Sequence, residues 1–385
     1  MVQTEEVKTF KTGLEDIIAG ESKICLIDGE QRKLFYRGYN VADLTEHSNF
    51  EETAFLLVRG HLPSLDQLND FKQLIRNSQT LSPQILDLIA KVPAKTHPMD
   101  MLRSAVSTLS QYDEDTPSNS REANLCKATH LLAMTPAVIA AYSRLRKGEK
   151  PIPPRNDLSL AGNFLYMLTG SEPHAFAEQV FDKCLILHAD HGFNASTFTA
   201  RVITATLSDM HSAVTGAIGA LKGKLHGGAN QDVMDMLTKI DKPENIEPYL
   251  TKFFADGGKV PGFGHRVYRN CEDPRATILR EFSRQLSEKL GETKWFNLSQ
   301  KVWEFVTEYT KQKGKLIHSN VDFYSASTYA LLGIDSQLFT PIFVMSRMAG
   351  WCAHIIEQHE NNRLIRPMEC YIGDRDLSYT SISER

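Results

Sequence analysis

Residues 48–60 read "SNFEETAFLLVRG", and their pattern decides how the chain folds. Ser48 and Glu51 stand in capping-box spacing, Ala54, Phe55 and Val58 recur at helical intervals, and Gly60 ends the run. This is a short amphipathic helix with its own start and stop signals. The outline repeats in "SLDQLNDFKQLI" (64–75), where Ser64 and Gln67 form the box and Leu68, Phe71 and Ile75 share a face. It repeats in "TPIFVMSRMAGWCAHIIEQ" (340–358), with Thr340 as the N-cap and Pro341 at the first helical position. Strand signals are few: "KICLIDGEQRKLFYRG" (23–38) reads as two short strands turning at Asp28-Gly29. Proline- and polar-rich loops fall at 113–120, 147–157 and 241–248, and there is no internal repeat. The pattern predicts a mainly α protein with a small N-terminal β-hairpin.

Composition narrows the classes of function. A chain of 385 residues has enough length for two domains. Hydrophobic residues make up 42% and charged residues 23%, ordinary for a globular protein, and the net charge of −4 without a basic run excludes a nucleic-acid footprint. The opening "MVQTEEVKTFKTG" lacks the apolar core of a signal peptide. The apolar stretch Leu131–Tyr142 is interrupted by Thr135 and Pro136 and reads as too short to span a bilayer. Cys25, Cys126, Cys184, Cys271, Cys352 and Cys370 include no close pair, which argues against a CxxC metal or redox motif and for a reduced, cytoplasmic compartment.

Four stretches carry residues suited to chemistry, each with a plainer alternative. In "LHGGANQDVMDML" (225–237), Asn230 reads as the cap of a helix, which puts His226 just ahead of a helix N-terminus. The positive end of the dipole disfavours imidazolium there, and a neutral imidazole can donate to a carbonyl oxygen as charge develops on it. The alternative is a turn histidine. In "KVPGFGHRVYRNCEDPRA" (259–276), Gly262 and Gly264 expose amides suited to a phosphate or nucleotide. His265, Arg266, Arg269 and Arg275 follow, and a guanidinium binds carboxylates through two parallel bonds. The alternative is a basic, solvated loop.

In "GKLIHSNVDFYSASTYALLGI" (314–334), Asp322 lies among apolar and aromatic residues, where desolvation makes a carboxylate a better base. It reads equally as a helix N-cap. In "FAEQVFDKCLILHADHGFNAST" (176–197), Phe176, Val180, Cys184, Leu187 and His191 form one helical stripe. His188 and His191 lack HExxH spacing and a third ligand, so His191 reads as a core or substrate-binding histidine and no metal is expected. Arg347 falls on a strongly apolar helix and needs a partner, either an internal carboxylate or an acidic substrate. Taken together, these residues suit carbanion chemistry beside a carbonyl: Asp322 as base, with His226 and His265 polarising two carbonyls.

With "LHGGAN", "PGFGH", "NVDFYSA" and "ADHGFNAS" in this order, the chain resembles the citrate synthase family over nearly its whole length. "GLEDIIAGESKICLIDGE", "HPMDMLRSAVSTL" and "NNRLIRP" add to the likeness. The resemblance implies a two-domain helical fold, with 1–227 and 334–385 as a large domain and 228–333 as a small domain that closes over substrates. It implies condensation of acetyl-CoA with oxaloacetate, no cofactor, and a homodimer at least, with a hexamer as a further possibility. It assigns His226 to the acetyl-CoA enol, His265 to the oxaloacetate carbonyl and Asp322 to the methyl proton. His191, Arg275 and Arg347 resemble oxaloacetate ligands, and Arg366 resembles one supplied by the partner subunit. Lys259, Gly262, Gly264 and Lys315 are expected near CoA. One departure concerns Arg275, which stands one residue further from His265 than in most members, so that the loop has to bulge for it to reach the site. 2-Methylcitrate synthase, taking propionyl-CoA, and a catalytically silent CoA-binding or assembly protein are the competing expectations.

Overall fold

The computed structural model describes residues 11–268 and 271–385, so Arg269 lies outside the described residues. A three-stranded antiparallel sheet opens the fold: β1 (Cys25–Asp28), β2 (Lys33–Tyr36) and β3 (Tyr39–Asn40), in that order. Cys25 pairs with Tyr36 and Asp28 with Lys33, so the turn occupies 29–32. The third strand, only two residues long, has no sequence signal of its own.

Sixteen helices follow among the described residues. The first ten are α1 (Val41–His47), α2 (Phe50–Arg59), α3 (Leu65–Ser78), α4 (Pro83–Lys91), α5 (Pro98–Leu109), α6 (Arg121–Leu145), α7 (Leu160–Thr169), α8 (Ala175–His188), α9 (Ala195–Thr204) and α10 (Met210–Lys222). The remainder are α11 (Ala229–Ile240), α12 (Ile246–Ala255), α13 (Pro274–Leu290), α14 (Lys294–Gln312), α15 (Val321–Leu331) and α16 (Phe339–Glu360). Helix α16 is the hub of one group, packed against α2, α6, α8, α9 and α10. Helices α11, α13 and α14 pack around α15, and α11 and α13 also touch α16 and α8. Helix α16 is buried without a break from Phe339 to Ile356, as a helix enclosed on every side must be.

Helix signals hold in type and slip in detail. The Ser64–Gln67 box forms as read, with both hydrogen bonds present. At α2 the cap is Asn49, which accepts from the Glu52 amide, while Ser48 bonds the Glu52 carboxylate. Glu51 turns inward and accepts from the Leu160 amide (3.0 Å), so tertiary packing has claimed the residue that the box would use. Thr340 lies inside α16 and donates to the Gly227 carbonyl (3.1 Å). Asn230 is likewise inside α11, buried, with Gly228 at the cap position and no side-chain cap.

Two further expectations are corrected. Helix α8 ends at His188, so His191 sits three residues beyond the helical stripe and is buried by the turn that follows it. Helix α6 runs for 25 residues straight through Thr135 and Pro136. By length and composition it is the one described helix able to cross a membrane, yet it lies largely buried in the protein core. The Thr135 hydroxyl bonds the Leu131 carbonyl (2.6 Å) one turn back, where the chain passes the proline.

Candidate active site

A cleft of about 710 Å³ opens where α11, α13, α15 and α16 meet the turns after α8 and α10. His191, His226, His265, Arg275, Asp322 and Arg347 all line it. Six residues drawn from five sequence stretches thus converge on one cavity.

His226 occupies the turn between α10 and α11, two residues before the Gly228 cap. A Cβ on Gly227 would collide with the Leu221 carbonyl oxygen, so the tight turn demands glycine there. Nε2 of His226 receives the backbone N–H of Ser196 (3.2 Å) and lies 2.8 Å from the Ser196 hydroxyl. An amide can only donate, so Nε2 presents its lone pair and the neutral ring carries its proton on Nδ1. Burial, helped by the nearby Arg347 charge, pushes the ring down to about 4. Trp351 in α16 donates to the same Ser196 hydroxyl (3.2 Å). Ser196 and Trp351 carry no sequence signal for this duty beyond the Asn194 N-cap that starts α9.

His265 is arranged by the same logic on its other nitrogen. Nδ1 accepts from the backbone amides of Val267 (3.0 Å) and Tyr268 (3.2 Å), leaving Nε2 as the N–H donor. Burial, with Arg275 adding to it and Asp273 opposing, holds the ring down at about 4. Its loop is pinned to the chain ahead of α15: Gly264 N–H donates to His318 O (2.8 Å), and Asn320 N–H to Gly262 O (2.9 Å). His191 stands beside it, ring centroids 5.1 Å apart, and Nε2 of His191 is buried without a hydrogen-bond partner. Burial and the Arg275 charge keep His191 well below its ordinary value.

Asp322 falls in the first turn of α15, and the capping duty belongs to Asn320, which accepts from the Asp322 amide (3.0 Å). The side chain is therefore free of the structural role it could have had. Burial pushes the carboxyl up to about 6, although Arg275 and Arg347 pull the other way. Arg275 does reach the cleft. Asp273 caps α13, and its carboxylate grips the Arg275 guanidinium at both ends (3.0 and 2.7 Å). The arginine is thus set in the first turn of a helix. Arg347 is buried in α16, with Nε donating to the His188 carbonyl (2.8 Å) and the guanidinium 4.8 Å from the Phe343 ring centroid.

Other expectations fall elsewhere. Arg366 is exposed in the segment after α16 and lines neither this cleft nor the next. Lys259, Gly264 and Lys315 line a second cleft of about 810 Å³, which shares Gly264 and His265 with the first. Gly262 lines neither: a Cβ there would press on Phe323 and Val233 at 2.8 Å, so its glycine serves packing. Leu14, Asp16 and Ile17, close to the N-terminus, border the first cleft without any foresight from the sequence. Among the described residues, no group of three or more His, Cys, Asp or Glu side chains is arranged to hold a metal ion.

A helical scaffold that collects two neutral, N–H-presenting imidazoles, a desolvated carboxylate and two buried arginines is equipped for acyl carbanion chemistry on an anionic acceptor. Residues 13–368 match the family described as "Citrate synthase, C-terminal domain". The chain is 47% identical to citrate synthase 2 of Bacillus subtilis, covering 98% of this chain and 100% of that one. It is 42% identical to 2-methylcitrate synthase of Mycobacterium tuberculosis, over 96% of this chain and 92% of that one. A solved structure of Thermoplasma acidophilum citrate synthase, a ternary complex with carboxymethyl coenzyme A and oxaloacetate, superposes with a TM-score of 0.91. That likeness carries 29% identity and covers 98% of this chain and 100% of that one. The chain belongs to the citrate synthase family and is an enzyme of that acyltransferase class.

Proposed function

We propose that the chain condenses acetyl-CoA with oxaloacetate and water to give citrate and CoA. The observation that carries this reading is the pair of tautomers in the shared cleft. His226 presents Nδ1–H and His265 presents Nε2–H, each because backbone amides occupy its other nitrogen. Asp322 takes a methyl proton from acetyl-CoA, and the enolate oxygen accepts from His226. The carbanion carbon attacks the oxaloacetate ketone, whose oxygen accepts from His265 and becomes the hydroxyl of citryl-CoA. Water then cleaves the thioester, leaving the new carboxylate on citrate and the thiol on CoA. His191, Arg275 and Arg347 offer donors to the oxaloacetate carboxylates.

Further parts of the reading rest on placement. The second cleft adjoins His265 and carries Lys259 and Lys315, a setting that supports CoA phosphates there. Segment 228–333 would close over the substrates as a small domain against 1–227 and 334–385. Arg366 is exposed on a terminal segment that also exposes Met368, Ile372, Leu377 and Ile382, which supports its serving the site of a partner in a homodimer. All six cysteines are free thiols, in keeping with a cytoplasmic setting.

The 2-methylcitrate reading is favoured by the Mycobacterium tuberculosis relative, and one methylene changes a pocket's preference by only about 1–3 kcal/mol. Steady-state kinetics with oxaloacetate separate the two. A higher kcat/KM for acetyl-CoA than for propionyl-CoA is expected, and the reverse order assigns the second activity. No turnover with either acyl-CoA would assign the chain to binding or assembly.

A further inference from the structure

Arg347 makes no ion pair among the described residues, yet it is only 1% exposed. Such a guanidinium needs a counter-charge. The carboxylate whose charge acts on it most strongly, from beyond ion-pair distance, is Asp190, itself 0% exposed and next in sequence to His191. Oδ2 of Asp190 accepts from the Gly192 amide (3.0 Å) and from Nε2 of His354 (3.4 Å). Oδ1 has no partner and lies against Gly350, where any Cβ would collide with it. Arg347, Gly350 and His354 fall on one face of α16, at i, i+3 and i+7, so the helix is notched to admit this acid between its two basic residues.

The arrangement extends outward. Arg201 Nε donates to Nδ1 of His354 (3.2 Å), which makes Nδ1 the lone pair and puts the ring proton on Nε2, toward Asp190. Arg201 is in turn held by the Gln358 side chain (2.8 Å) and paired with Glu357. The Tyr36 hydroxyl grips the Asp190 backbone at both its amide (3.2 Å) and its carbonyl (2.9 Å). Burial alone would neutralise Asp190, but His354, Arg347 and the Gly192 amide outweigh it and hold the carboxyl below its ordinary value. Arg275, by contrast, is paired directly with its own buried acid, Asp273.

The geometry points to Asp190, braced by His354 and Arg201, as a positioning residue that aims Arg347 and the His191 turn at the carboxylates of the acceptor. It touches no substrate and acts through its neighbours. This inference rests on the oxaloacetate reading, and the wild-type assay tests that reading first: no oxaloacetate-dependent release of CoA removes the reading before any variant is made. In an active enzyme, Asp190→Asn keeps the shape and the acceptor for Gly192 but loses the charge. The KM for oxaloacetate should rise about tenfold, the KM for acetyl-CoA should change less than about twofold, and the thermal midpoint should hold within a few degrees.

A double-mutant cycle separates positioning from general structure. In an Arg347→Lys background, Asp190→Asn should raise the KM by much less than it does in the wild type, because only the route through the His191 turn remains. If the two changes multiply, or if folded Asp190→Asn keeps the wild-type oxaloacetate KM, the inference is overturned while the oxaloacetate reading stands. Should Asp190→Asn not fold, His354→Phe carries the same test. It retains the ring packed against Phe193 and removes the hydrogen bond to Asp190. The same selective rise is expected, and an unchanged oxaloacetate KM overturns the relay.

Discussion

Ser196 holds His226 from behind, its amide 3.2 Å and its hydroxyl 2.8 Å from Nε2. The contact leaves Nδ1–H as the donor available to the cleft, and burial keeps the ring neutral at physiological pH. A histidine so placed can stabilise an enolate only by donating, never by carrying charge.

This predicts a graded loss of rate. His226→Ala removes the donor and should lower kcat about 10²–10³-fold, the usual cost of one oxyanion contact. Ser196→Ala keeps the backbone amide that sets the tautomer, so its loss should stay near about tenfold. Steady-state kcat values for both variants check the order. A Ser196→Ala loss as large as that of His226→Ala would mean that the hydroxyl, not the amide, sets the ring.

Asp322 supplies a pH dependence and its sign. With the carboxyl near 6, the base form is lost as pH falls through 6, and kcat/KM should drop about tenfold per unit below it. His226 and His265, both near 4, stay neutral across that limb. Asp322→Asn should lower kcat by about two to four orders of magnitude and abolish exchange of acetyl-CoA methyl protons into deuterated water. Exchange at the wild-type rate in that variant would assign the base elsewhere.

A buried acid far from the cleft makes a separate prediction about stability. Both oxygens of Asp182 lie near the Phe50 amide (3.1 and 3.2 Å), and burial, with Glu51 close by, pushes its carboxyl up to about 7. Its unfolded value is near 3.9. Between those values the folded state binds the extra proton, so this group lowers stability progressively as pH rises from about 4 to about 7. Asp182→Asn keeps an acceptor for Phe50 and cannot ionise. Its melting temperature relative to wild type should therefore climb between pH 4 and pH 8, and a constant difference across that range would contradict the assignment.

Arg366 yields a test of subunit sharing. Asp322→Ala and Arg366→Ala are expected to be inactive separately. Unfolded and refolded together at equal amounts, about half of the dimers are mixed, and in each mixed dimer one site carries both defects and the other neither. About a quarter of wild-type activity should return. If mass measurements confirm mixed dimers and no activity returns, Arg366 acts within its own subunit or not at all.

Local chemistry was the part of this protein that its sequence determined. Helices appear wherever apolar residues recur at helical spacing, because burying one face stabilises the element whatever it packs against. The box at Ser64–Gln67 formed as read because both partners are four residues or fewer apart and stay solvent-accessible. The motifs holding His226, His265 and Asp322 were legible for a related reason: glycine turns and helix starts set each residue's backbone within its own segment. Tertiary structure decided the rest. Glu51 was drawn from its own helix end to the start of α7, and Thr340 from a cap to the Gly227 carbonyl. The lone pair of His226 is chosen by Ser196, thirty residues away, and the charge behind Arg347 by Asp190, more distant still. Protonation states and counter-charges depend on which groups are desolvated together, and only the packing of α16 against the turns around it brings those groups into one low-dielectric space.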